Sequence, residues 1–276
     1  MFNENDIVLN LAVLSDIHMS GVWDTEPHFK DIIQICKRRA GDKLDAFLMN
    51  GDFTDAMNSR PNVVAGAYGL PNTYEEAKAV QNAKEFRILR NAFSTIDEDT
   101  EIIYTLGNHD GADNFERFIT EFSSRDEIGD NENFERMYRT DLDFEAIYKG
   151  VRHCVVGGYH VLCLNPLTDY TEALEILKTW LDDITAAEPE KFVFLLYHYR
   201  LTDTVMFGNF SPSNKQLSDM LKQYPQVVAL TGHSHSPLQN ERAIWQGEYT
   251  VVEASSCSYI LHSQVTEPNV KSIFNT

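Results

Sequence analysis

The chain has 276 residues, 43% of them hydrophobic and 11% aromatic, and a net charge of −19 at pH 7. That length buries a sizeable core, in one large domain or two small ones. The charge argues against non-specific binding to nucleic acid or an anionic membrane, and no apolar run reaches the ~18 residues that a membrane span needs.

Met1 to Asp6 is acidic and lacks the basic and apolar stretches of a secretory signal. Four cysteines (Cys36, Cys154, Cys163, Cys257) are scattered, with no Cys-x-x-Cys pair. A cytoplasmic, reduced protein with structural thiols is expected.

Residues 7–14 (IVLNLAVL) form an apolar run of strand length that ends at Ser15-Asp16-Ile17-His18. Residues 26–39 carry Phe29, Ile32, Ile33 and Cys36 at helical spacing. Residues 45–49 form a second buried strand, ending at Asn50-Gly51-Asp52-Phe53-Thr54-Asp55. Strand, helix, strand in that order predicts a parallel crossover. Residues 58–73 read as a loop and 74–93 as an amphipathic helix. A third strand over 101–104 stops at Thr105-Leu106-Gly107-Asn108-His109-Asp110, where Gly and Asn favour a turn.

Residues 112–150 are charged and aromatic and read as helices and loop over the strand ends. Residues 151–164 alternate around Gly157-Gly158, a hairpin pattern. A helix is expected over 171–185, and a strand over 192–196 ending at Tyr197-His198-Tyr199-Arg200. A helix over 211–223 takes Ser211 as N-cap and Pro212 as its first residue. The strand over 227–230 ends at Thr231-Gly232-His233-Ser234-His235, and a last strand covers 249–253. Helices alternating with short buried strands make the chain α/β, with layered sheets covered by helices.

Five strands thus end in polar clusters: Asp16/His18, Asp52, Asn108/His109, His198 and His233/His235. Imidazole, carboxylate and carboxamide suit Zn, Mn, Fe or Ni. Each element alone is ordinary: Asp-x-His caps a loop, Gly-Asp makes a turn, a strand-end His lines a core. The joint pattern, in order and each time closing an apolar strand, is what points to metal chemistry. Asp52 sits on a Gly turn that permits close approach, which makes it the natural bridge between two ions.

The ordered set SDIH, NGDFTD, LGNHD, LYHY and TGHSH resembles the calcineurin-like metallophosphoesterase family. The resemblance runs from Leu11 to about Ser258. It implies a four-layer αββα sandwich of two mixed β-sheets flanked by helices. It also implies one domain over 1–276, with excursions about 56–95 and 111–150 and a tail at 260–276. Asp16, His18 and His235 would hold one divalent or trivalent ion (Mn, Fe or Zn). Asn108, His198 and His233 would hold the second, and Asp52 would bridge them. His109 matches the family histidine that contacts the phosphate or the leaving group. Asp110 matches the carboxylate behind it that fixes its tautomer, or it is a plain helix cap. Asp55 stands behind Asp16 or His18, or is a turn residue.

The implied activity is phosphoester hydrolysis by a metal-bridging hydroxide, with His109 as general acid. A small-molecule phosphodiester is the expected substrate. A phosphomonoesterase and a catalytically weak metal-binding module are the alternatives. Arg200, Tyr199, Phe207 and Asn209 follow a ligand and are placed to touch substrate, with Asn108 and His109 beside them. Gly51-Asp52-Phe53-Thr54-Asp55-Ala56-Met57 lacks the Arg of the phosphoprotein phosphatase motif, which disfavours a protein phosphatase. The polar segment 260–276 stands where relatives continue with sheet strands. The sheet edge is then finished differently, or the chain is part of a longer one.

Overall fold

In the computed structural model, which describes residues 7–20, 25–41, 43–55, 85, 88–89, 91–110, 150–166, 170–205 and 213–258, three short strands form the first sheet. They are β1 (Leu11–Leu14), β2 (Ala46–Asn50) and β3 (Glu101–Thr105), in the order β1-β2-β3 and parallel throughout. The crossover from β1 to β2 is α1 (Thr25–Ala40), which buries Phe29 and Ile33. Glu26 lies in its first turn and Lys37, Arg38 and Arg39 in its last, matching the helix dipole at both ends.

The second sheet has six strands in the order β10-β11-β9-β6-β5-β4. These are β4 (Val151–Val156), β5 (Tyr159–Leu164), β6 (Val193–Tyr197), β9 (Val227–Thr231), β10 (Ile244–Gln246) and β11 (Thr250–Glu253). Its four inner strands run parallel, and β4 and β10 pair antiparallel at the edges. The β4–β5 turn has positive φ at Gly157 (55°) and Gly158 (79°), the backbone of a tight two-residue hairpin. Helix α2 (Tyr170–Ala187) connects β5 to β6. A small ribbon of β7 (Arg200–Leu201) and β8 (Ser213–Asn214) precedes α3 (Lys215–Leu221).

Side-chain alternation explains the layers. Ala46, Leu48 and Ile103 face Val161, Cys163, Leu196 and Leu230, so the two sheets pack face to face. Phe47, Met49, Ile102 and Tyr104 point the other way, onto Phe29 and Ile33 of α1 and onto Leu89 and Phe93, which are helical. Leu162, Leu164, Leu195 and Ala229 point outward onto α2 and α3. Strands covered on both faces read as unbroken apolar runs. The result is helix, sheet, sheet, helix: the four-layer αββα sandwich. Among the described residues, no helix is long and apolar enough to cross a membrane.

Three expectations shift. The first strand begins at Leu11, and Ile7 and Val8 before it are 50% and 73% exposed. The helix expected over 211–223 begins at Lys215, capped by Asn214 rather than Ser211. Asn214 Oδ1 accepts the Leu217 N–H at 2.9 Å, while Ser213 and Asn214 pair with β7. The ribbon β7–β8 and the edge strand β10 were not expected, since runs of two or three residues carry no periodicity. The expected loop over 58–73, most of the helix over 74–93, the excursion over 112–149, the tail from 260, and Phe207 and Asn209 lie outside the described residues.

Candidate metal centre

Parallel strands end on the same side, so the turns after β1, β2, β3, β6 and β9 meet over the carboxyl ends of the two sheets. The backbone there is tightly wound. Asp16, His18, Asp52, His233 and His235 all have φ between 45° and 69°, a left-handed region uncommon for residues other than Gly. Each such residue costs about 1–3 kcal/mol, and such conformations cluster at functional sites. The glycines explain how the turns approach. A Cβ on Gly51 would lie 2.5 Å from Gly107 N, and one on Gly107 would strike the Asp52 side chain.

The carboxylates are held alike. Asp16 Oδ2 accepts from Ser15 Oγ at 2.6 Å and from the His233 N–H at 2.9 Å. Its Oδ1 lies 3.1 Å from His235 Nε2 and 3.9 Å from His18 Nε2. Asp52 Oδ1 accepts the His109 N–H at 2.8 Å. Its Oδ2 lies 3.2 Å from His198 Nε2 and 3.7 Å from His18 Nε2. The Nε2 atoms of His18 and His235 are 3.0 Å apart.

Two groups of donor atoms result, each within 4.8 Å: Asp16, His18, Asp52 and His235, and Asp52, His198 and His233. Asp52 belongs to both. Asn108 Oδ1 lies 3.3 Å from His198 Nε2, beside the second group. The His109 ring lies edge-on to His18, with centroids 4.4 Å apart. His18, Asp55 and His109 form a third convergent group, and Asp55 Oδ1 is 3.6 Å from His18 Nδ1. Arg200 opens β7, two residues after His198, and is half-buried.

Several supporting residues were not singled out from the sequence. His198 donates from Nδ1 to the Asn50 carbonyl at 2.6 Å, which turns Nε2 toward Asp52. Ser256 Oγ donates to the Asp16 carbonyl at 3.0 Å. Asp110, expected to fix the His109 tautomer, holds three backbone amides. Its Oδ1 accepts from Phe53 N (2.9 Å) and Thr54 N (3.3 Å), and its Oδ2 from Gly107 N (2.8 Å). It thereby ties the turn after β2 to the turn after β3. Ser15 and Asn50 do stand in the SDIH and NGDFTD motifs, but Asn50 acts through its backbone carbonyl, which leaves no mark in a sequence.

Burial alone would raise both carboxylates. The imidazoles of His235, His198 and His18 outweigh it at Asp16, and His198 does so at Asp52, leaving both below the usual range. Burial opposes the charge on His198, but Asp52 pushes it up to about 10. Burial likewise opposes the charge on His18, and the Asp55 hydrogen bond raises it. Burial, with His198 beside it, pulls His233 down to about 4. Burial also lowers His109. Burial and the charge of Asp52 push Asp110 up to about 7, against the pull of its amides.

Asp16, Asp52, His18, His198 and His235 are each at most 4% exposed. Acceptor atoms packed so closely away from water require positive charge among them, as protons on His198 and His18 or as cations. Nitrogen and oxygen donors of this kind fit divalent transition ions, so the site can bind divalent metal.

A family model described as "Calcineurin-like phosphoesterase" matches residues 9–237. Among solved structures, the chain is similar to one described as "GAP50 the anchor in the inner membrane complex of Plasmodium". That likeness has 12% identity and a TM-score of 0.52, covering 91% of this chain and 72% of the other. At that identity the likeness concerns the fold. No curated protein matches. The family match takes in every strand-end cluster from Asp16 to His235, and the chain belongs to the calcineurin-like phosphoesterase family.

Proposed function

We propose that the chain hydrolyses a small-molecule phosphodiester, with two metal ions at the strand ends and His109 as general acid. The observation that carries this reading is Asp52, whose carboxylate is common to both groups of converging donors. Asp16, His18 and His235 would hold one ion, Asn108, His198 and His233 the other, with Asp52 between them. Mn, Fe and Zn suit the donor set. When bound, the ions supply Lewis-acid neutralisation of the phosphate and a nucleophile from water at neutral pH.

The chain's own residues do the rest. Asn108 is neutral where a carboxylate would add negative charge, which keeps the site receptive to an anionic ester. His109, beside His18, donates a proton to the departing alkoxide. Burial lowers the pKa of His109, which makes its protonated form a stronger acid than a free imidazolium. Asp110 positions both turns through their amides, and Asp55 orients His18 from behind. Arg200, at the start of β7 two residues after His198, would offer a guanidinium to the phosphate. We read 1–276 as one domain. The four cysteines are free thiols, which supports a reducing, cytoplasmic setting.

The test is elemental analysis of protein purified without added metal, paired with turnover of bis(p-nitrophenyl) phosphate and p-nitrophenyl phosphate. About two transition ions per chain and faster turnover of the diester are expected. Preference for the monoester would make the chain a phosphomonoesterase, and bound metal without turnover would make it a binding module.

A further inference from the structure

A second histidine cluster lies outside the strand-end centre, on the helix-facing side of the β4–β5 hairpin. His153 of β4 and His160 of β5 point to the same face as Leu162 and Leu164, beside Trp180 of α2. His153 Nε2 and His160 Nδ1 are 2.8 Å apart. The other nitrogen of His160, Nε2, lies 2.9 Å from Glu188 Oε2, just past the end of α2. Glu188 also pairs with Lys191, which keeps the carboxylate ionised and in place.

That arrangement fixes a tautomer. A carboxylate accepts, so Nε2 of His160 carries the proton and Nδ1 of a neutral ring presents its lone pair toward His153. Carboxylate behind imidazole is the arrangement that orients histidines for metal binding. The His153 ring donates from Nε2 to the His160 lone pair, so an incoming ion takes the place of this shared hydrogen, which moves to Nδ1 of His153. The Trp180 ring, 5.5 Å from that of His153, limits how the imidazole turns. His160 keeps 17% of its side chain exposed, which leaves water access for an ion's remaining ligands.

We propose that His153 and His160 form a second transition-metal site, a two-imidazole chelate for a borderline divalent ion such as Cu²⁺, Ni²⁺ or Zn²⁺. Imidazole suits all three, and Cu²⁺ is the tightest binder of the series. The hairpin supplies the rigidity: both residues are fixed by the register Val155↔His160 and His153↔Leu162. Glu188 acts behind His160 as a positioning residue. The site requires nothing from the strand-end centre and stands whether or not the chain hydrolyses phosphodiesters.

The experiment titrates Cu²⁺ into the protein carrying its native strand-end metals, whose retention is checked by elemental analysis. Binding is followed by tryptophan fluorescence and by electron paramagnetic resonance. One additional Cu²⁺ per chain is expected, with a nitrogen hyperfine pattern from two imidazoles and quenching of Trp180. His153→Asn and His160→Asn should each lose that equivalent and its quenching. Glu188→Gln should weaken it by about 10–100-fold. Circular dichroism and melting temperature check that the variants fold. Where one does not, substoichiometric Cu²⁺ on the wild-type chain should selectively broaden two imidazole resonances. No additional equivalent in the wild type, or equal affinity in either histidine variant, overturns the proposal.

Discussion

Asp16 and Asp52 use their carboxylates in the same way, although 36 positions separate them in the chain. Each offers one oxygen to a backbone N–H on a different strand-end turn: His233 N for Asp16, at 2.9 Å, and His109 N for Asp52, at 2.8 Å. Each leaves the other oxygen to imidazole nitrogens. The amide fixes the direction of the free oxygen, and the two amides tie β1 to β9 and β2 to β3. Fold and donor geometry are therefore set by the same hydrogen bonds.

Asp52→Asn is expected to remove most phosphoesterase activity and to lower bound metal to one ion per chain or fewer. The amide retains an acceptor for the His109 N–H but loses the negative charge shared by the two donor groups. Elemental analysis with turnover checks this. Two tightly held ions and near-normal turnover would exclude Asp52 as the bridge.

Gly107→Ala should be destabilising by about 1–3 kcal/mol, the range for overpacking a filled interior. Its Cβ would strike the Asp52 side chain and backbone nitrogen, so the carboxylate must move. Metal content should fall along with the melting temperature. An alanine variant with wild-type metal and stability would show that the two turns have slack.

The apolar strands were legible because sandwich packing covers both their faces, and Ala46–Asn50 is buried throughout. The donors were legible because chemistry concentrates them where those runs stop. What the sequence hid was the backbone's share. The Asn50 carbonyl that orients His198, and the amides that Asp110 gathers, have no residue-type signature. The N-cap of α3 was misplaced for a related reason. Ser211-Pro212 and Asn214 are both good helix starts, and pairing of Ser213 and Asn214 with β7 decides for Asn214.

That cap has a measurable share of stability. Asn214→Ala should cost about 0.5–2 kcal/mol in chemical denaturation, the usual range for a lost cap. Ser211→Ala should cost markedly less. Equal costs would return the helix start to Ser211. Metal content should be unchanged in both variants, since α3 packs on the outer face of the second sheet.

Metal removal should abolish ester binding along with turnover. An anionic ester approaching a chain of net charge −19 needs a local positive focus, and bound cations reverse the sign of the field in a cleft. Calorimetry with a non-hydrolysable diester, before and after dialysis against a chelator, measures this. Tight binding by the stripped protein would place the phosphate on protein groups such as Arg200.

The last prediction separates two roles for His109. The ring lies edge-on to His18, while the neighbouring Asn108 side chain lies against His198, so the two diverge from one turn. A general acid matters in proportion to how poor the leaving group is. With an alkyl ester the departing alkoxide needs a proton, and His109→Ala should cost about 10²–10⁴-fold in turnover. With a nitrophenyl ester the leaving group departs unaided, and the loss should be markedly smaller. Metal content should stay near wild type. Equal losses on both esters would make His109 a phosphate-positioning group. Lost metal would make it a ligand, and the convergence of His18, Asp55 and His109 within 4.8 Å marks where that ion would sit.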